Sequence, residues 1–169
     1  MTTRETTRER TDLLQILARQ RGFLRFTVRN LSDAHAAKRT TVSALCLGGL
    51  IKHVTAVESR WVNFILQGPA AMAHGTDPSE WDNLFQMLPG ETLQGLLDQY
   101  AEVARRTEEI VASLPDLDVD QPLPEAPWFE KGARWSARRV LLHILAETAQ
   151  HAGHADILRE SLDGAKTMG

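Results

Sequence analysis

Leu141–Glu160 reads LLHILAETAQHAGHADILRE, and the spacing of its polar residues decides the fold class. At about 100° per residue, His143, Glu147, His151 and His154 fall in one sector of roughly 80° that also holds Val140 and Leu158. Four polar side chains thus share a helical face with apolar ones. Ser136 is a good N-cap and Asp163-Gly164 a stop, so this helix is predicted from Ser136 to about Leu162. Glu147 and His151 form an i, i+4 pair whose Cβ atoms lie about 5–6 Å apart, close enough for both side chains to reach one cation.

Working outward, three further helices are predicted. The first runs from the N-cap Thr11-Asp12 to about Leu31, with Leu13, Leu14, Leu17, Leu24, Phe26 and Val28 at helical spacing. The second spans Ala44 to Leu66, between the capping hydroxyls of Thr40, Thr41 and Ser43 and the stop Gly68-Pro69. A third runs from about Glu91 to Leu114 and ends at Pro115. Residues 67–90 read as a long connection in which Asp77-Pro78-Ser79-Glu80 starts a short helix. The Pro-rich segment from Pro115 to Trp135 reads as irregular, neither strand nor helix. Four helices and no run of period two outline an all-α four-helix bundle with two long connections.

In the second helix His53 is in line with Leu50, Val57 and Phe64, a stripe that faces the core. An unpaired imidazole there is costly. If the second and last helices are neighbours, His53 meets Glu147 and His151 in a three-ligand site of two imidazoles and one carboxylate, a donor set that suits zinc, nickel, iron or manganese. Each sign is weak alone: a lone core histidine is more often satisfied by hydrogen bonding, and Glu-His pairs are common on helix surfaces. Their co-occurrence carries the reading, because one cation satisfies three expensive groups at once.

Other candidates are secondary. His143, one turn before Glu147, could hydrogen-bond to it, or simply pack. His154 reads as a donor that orients the ligands or faces substrate rather than as a fourth ligand. His35 and His74 read as solvated. Cys46 reads as a small packing residue. Arg138, Arg139 and Arg159 could hold an anion but read as a solvated face. Trp61 and Trp135 read as core anchors, whereas Trp81 and Trp128 lie in the two long connections, where they could roof a pocket.

The chain has 169 residues, 43% of them apolar, enough for one domain with a substantial core. Residues 1–10 are predicted as a flexible lead-in and 11–169 as a single helical domain. The formal net charge of -3 comes from 19 basic and 22 acidic residues scattered along the chain, which leaves no footprint for nucleic acid or an anionic membrane. The one cysteine forms no intrachain disulfide. Met1–Arg10 lacks the apolar core of a signal peptide and no run reaches the roughly 18 apolar residues of a membrane span, so a cytoplasmic protein is expected.

Three stretches, Leu47–Glu58, Trp135–His143 and Glu147–Glu160, resemble the DinB/YfiT-like metal-binding proteins, within them the branch labelled mini-circle proteins, and the likeness extends over about residues 12–164. The resemblance implies an up-down-down-up bundle whose second helix gives one metal ligand and whose last helix gives two, which maps onto His53, Glu147 and His151. Many members carry three histidines. Glu147 at the middle position is similar to the arrangement in mycothiol-dependent maleylpyruvate isomerase, and it lowers the site's charge by one and makes the metal a slightly weaker Lewis acid.

Relatives that use mycothiol, bacillithiol or glutathione imply a divalent metal, zinc foremost, that binds a small thiol as the thiolate which attacks an electrophile. The expected function is therefore thiol S-transfer or thiol-dependent isomerisation, with mycothiol as a cosubstrate and His154 and His143 in proton-handling or orienting roles. Two alternatives stay open: a non-catalytic metal-binding stress-response or dimeric binding protein, and a metal-water hydrolase. A small bundle with long connections also admits a homodimer.

Overall fold

The computed structural model describes residues 8–72 and 83–167. In chain order it contains α1 (Arg8–Thr27), a one-turn α2 (Asp33–Ala36), α3 (Leu47–Gln67) continued by a 3₁₀ turn (Gly68–Met72), α4 (Leu93–Ser113), β1 (Asp120–Pro122), β2 (Arg134–Ser136) and α5 (Ala137–Asp163). The chain is mostly helical, as predicted. α1 packs along α5, and α3 lies against both α4 and α5. At one end Arg138 of α5 pairs with Glu9 of α1; at the other Arg159 donates to the carbonyls of Thr27 and Arg29, at 2.7 and 2.8 Å. α1 and α5 therefore run in the same sense.

Several boundaries differ from the sequence reading. α1 starts at Arg8, because Arg10 is no part of a polar lead-in: it is buried, and its guanidinium donates to Leu114 O at 3.0 Å. Arg159 is likewise buried, satisfying the carbonyls at the end of α1, so it belongs to no solvated face. The cap of α3 is Cys46, whose Sγ accepts from Gly49 N–H at 3.3 Å, rather than a hydroxyl at residues 40–43. The segment between α4 and α5 is not wholly irregular. β1 and β2 pair antiparallel with Gln121 opposite Trp135, and the missing N–H of Pro122 is tolerated at the end of so short a strand. Leu123 N–H to Ala133 O and Ala137 N–H to Val119 O, at 2.9 and 2.8 Å, extend the pairing on both sides. The short helix predicted at Asp77–Glu80 lies outside the described residues.

Two apolar clusters fill the interior. One gathers Leu17, Trp61, Val62, Phe64, Val111, Val140 and Ile144; the other gathers Leu24, Leu50, Ile51, Val54, Leu96, Tyr100, Ala155 and Leu158. Between them runs a polar layer. The Glu58 carboxylate, fully buried, accepts from Arg21 Nε at 3.2 Å and from the Thr107 hydroxyl at 2.6 Å, and pairs with Arg21 Nη2. Three helices are joined through one carboxylate. No helix of the described residues is long and apolar enough to cross a membrane.

Truncating one partner of a buried ion pair leaves the other charged and unpaired, a loss of about 3–5 kcal/mol. Glu58→Ala should reach that range in urea unfolding, and the volume-matched double change Arg21→Met with Glu58→Leu should restore most of it. A cost below about 1 kcal/mol for the single change would show that the layer is not closed to water.

Candidate metal centre

The ends of α5 are fixed by local chemistry. Ser136 Oγ accepts from Arg139 N–H at 3.2 Å, and Gly164 closes the helix in the left-handed region at φ 78°. α3 crosses α5 in the opposite sense, so the His53 ring lies 4.7 Å from that of His151, and Trp61, two turns further along α3, lies 4.8 Å from His143. The predicted trio is brought together.

One donor atom from each of His53, Glu147 and His151 lies within 4.8 Å of the others. Glu147 Oε2 is 3.6 Å from His151 Nε2 and 4.0 Å from His53 Nε2. Both separations exceed hydrogen-bond reach. Tetrahedral donors on bonds of about 2.0–2.1 Å stand roughly 3.4 Å apart, so the carboxylate contacts are within about 0.6 Å of a shared coordination sphere. His53 is 6% exposed, and its Nδ1 is buried with no hydrogen-bond partner among the described residues. A carboxylate that faces the Nε2 atoms of two imidazoles from beyond hydrogen-bond distance completes a donor set that a divalent cation would satisfy. The imidazoles of His151 and His53 hold the Glu147 carboxyl far below the usual carboxylate range, against the opposing push of burial.

The two secondary histidines take different places. His154 Nδ1 lies 3.4 Å from His151 Nδ1, so it can fix the tautomer and tilt of that ring from the side away from Glu147. His143 Nε2 lies 4.0 Å from Glu147 Oε1, and burial pushes its pKa down, which keeps the ring neutral near pH 7. His35 is exposed on α2 and is not part of the donor cluster; His74 and Trp81 lie outside the described residues.

Beside His53 and Glu147 opens a cavity of about 620 Å³, walled by Val57, Arg60, Trp61, Met72, His143 and the β1–β2 connection at Pro124, Glu125, Ala126, Trp128 and Phe129. Trp128 therefore roofs a pocket, as its position in a long connection suggested. A family model described as mycothiol-S-transferase matches residues 12–164. The chain belongs to the mycothiol-S-transferase family. This is a DinB/YfiT-like family, in keeping with the three stretches that resemble it. A search of curated proteins returns no match.

Two neighbours of the site in this mycothiol-S-transferase family member were not legible beforehand. Phe85 stacks on His53 with ring centroids 4.1 Å apart and planes inclined by 22°. It is held there by the start of α3. The Cys46 thiol donates to Phe85 O at 3.7 Å, and Gly49 lies so close that an added Cβ would sit 1.9 Å from the same oxygen. Arg60, two turns after His53, enters the cavity wall. The pair Gly48-Gly49 was the available signal for the first, since two glycines opening a helix mark a close backbone approach. The second follows from the spacing of Arg60 to Val57 and His53.

Gly49→Ala must displace the Phe85 backbone, so it should cost at least about 1–3 kcal/mol and loosen the wall behind His53. Gly22→Ala, where a Cβ meets nothing within 4 Å, should instead stabilise α1 by about 0.5–1 kcal/mol. Thermal melts of the two variants that moved in the same direction would contradict this packing.

Proposed function

We propose that this chain is a metal-dependent transferase that moves a low-molecular-weight thiol, mycothiol or a close analogue, onto a small electrophile. His53, Glu147 and His151 hold the metal, and zinc suits them first, with nickel, iron or manganese as alternatives. The observation that carries the reading is a donor trio of which two members, His53 and Glu147, line an aromatic-walled cavity, in a chain of the mycothiol-S-transferase family. The four long helices form the up-down-down-up bundle of one domain, which the shared sense of α1 and α5 supports.

When bound, a divalent ion here would stabilise the thiolate form of the incoming thiol at neutral pH. The chain supplies the rest. His143, neutral and facing the cavity, accepts the thiol proton at Nε2, so the sulfur attacks the electrophilic carbon and the leaving group or adjacent carbon takes up the displaced electron pair. His154 holds the His151 ring in position from behind. Trp61, Trp128 and Phe129 keep water from competing with sulfur.

A second copy of the chain is part of the proposal. The solvent face of α5 carries Leu142 and Ile157, 41% and 61% exposed, with Ala146, Ala149 and Gly153 between them. The pattern is symmetric about the Ala149–Gln150 bond. Antiparallel self-pairing sets Leu142 against Ile157 of the partner subunit, Ala146 against Gly153 of the partner subunit, and Arg139 against Glu160 of the partner subunit. That symmetry is what a twofold interface requires.

Elemental analysis of tag-free protein should find about one divalent ion per chain, with His53→Ala, Glu147→Ala and His151→Ala each losing most of it and His35→Ala losing none. His154→Ala should keep the ion but bind it about 10–100-fold more weakly. Metal-loaded protein should turn over a thiol with a chlorinated or unsaturated electrophile and do nothing in thiol-free buffer. No turnover with any pair would leave a binding protein, and thiol-free turnover a hydrolase. In sedimentation velocity at micromolar concentration the chain should run as a dimer and Ala146→Glu as a monomer; a monomeric parent chain removes the self-pairing.

A further inference from the structure

One flank of α1 repeats, about a midpoint of its own, the pattern carried by the solvent face of α5. At about 100° per residue, Ile16, Gln20 and Phe23 fall within a sector of roughly 60°, with Leu13 and Phe26 at its borders. The same sector holds Glu9 and Thr27, which contact α5, so the flank adjoins that helix. Ile16 is 38% and Phe26 46% exposed, and Leu13 and Phe23 are partly exposed. Leu13 and Phe26 stand equally far from the Arg19–Gln20 bond, and so do Ile16 and Phe23. On α5 the equivalent midpoint is the Ala149–Gln150 bond. Glu9 meets Arg138 and the Arg29 carbonyl meets Arg159, so each residue of α1 stands beside one about 130 further along the chain. The two midpoints are therefore level. Packing within a single chain does not require two surface patterns to be centred at one height; a twofold axis that crosses both helices does.

Area points the same way. α1 has 20 residues, which make about 30 Å of helix. One helix pair in contact over that length, at a spacing of about 10 Å, buries roughly 600 Å² in total, half of the about 1,200 Å² at which stable interfaces begin. Pairing of α5 alone falls short. We infer that α1 joins α5 in the self-pairing, so that the interface is a layer of two helices from each subunit and its twofold axis passes over Arg19–Gln20 and Ala149–Gln150. Ile16 then meets Phe23 of the partner subunit, and Leu13 meets Phe26 of the partner subunit. Phe26 lies under the Arg29 guanidinium, 3.7 Å from the ring centroid, and forms the border of the layer rather than its centre. The inference rests on the α5 self-pairing proposed above. It leaves both cavities open, because His143, Glu147 and His151 lie roughly 120° around α5 from Leu142, Ala146 and Gly153.

Sedimentation velocity and cross-linking test it together. Ile16→Glu, a change at an exposed position, should keep the far-UV dichroism of the parent chain and run as a monomer at micromolar concentration, where the parent runs as a dimer. A short bis-maleimide should join two copies of Gln20→Cys, which stands next to the axis, and two copies of Gln150→Cys, but not two copies of Gln99→Cys on α4. Cys46 is buried, so the parent chain should stay single under the reagent. A folded Ile16→Glu that remains dimeric, or a Gln20→Cys chain that stays single while Gln150→Cys couples, overturns the role of α1 and leaves the α5 pairing intact. If Ile16→Glu does not fold, the cross-linking decides alone. A monomeric parent chain overturns both pairings.

Discussion

A carboxylate with none of its surface exposed has to be bound by protein on every side, and Glu58 sets that requirement at the centre of this molecule. Arg21 comes from α1 and Thr107 from α4, so α3 can slide along neither neighbour without breaking bonds that make its buried charge tolerable. Such a layer adds little net stability compared with apolar packing; its use is register. Register is what the histidine site needs. His53 stands five residues before Glu58 on the same helix, and Thr148, next to Glu147, is buried on α5 with its hydroxyl donating to Ile144 O at 2.8 Å. One residue of slip moves a side chain by about 1.5 Å along a helix axis and 100° around it, enough to take an imidazole out of reach of its partners.

A second constraint works from the N-terminus of α3. Without side chains, Gly48 and Gly49 let the segment at Phe85–Met87 lie directly on the helix, where an added Cβ would meet Met87 Sδ at 2.1 Å and Phe85 O at 1.9 Å. Lys52 fastens the same segment through Glu91, at 2.7 Å, and Gln86 O, at 3.4 Å. The consequence is the ring of Phe85 on the face of His53. An apolar cover on one face of an imidazole leaves its nitrogens to be met in the plane of the ring, and Nε2 is the one that faces Glu147 on α5.

The helices and the trio were legible in the sequence because both depend on short-range spacing. His53, Glu147 and His151 each interrupt an apolar stripe, and periodicity reports such interruptions well. What was not legible depends on contacts between distant segments. Arg10 and Arg159 look like surface charges until the carbonyl ends of α4 and α1 arrive beside them. β1 and β2 are three residues each, too short for alternation to register, and Pro122 argues against a strand unless its partner is known. Cys46 as a cap falls outside the hydroxyl and carboxamide set from which caps are read. Phe85 has no pattern of its own; its place on His53 comes from the close approach that Gly48 and Gly49 allow.

The carboxylate in the trio sets the charge that a cation held there would present to the cavity. A divalent ion held by imidazoles alone would present two positive charges to any anion entering the cavity. Glu147 reduces that charge to one, and His143, kept neutral by burial, adds none. A cavity wall that already carries one carboxylate beside its imidazoles therefore favours a neutral or soft donor there over a further oxyanion.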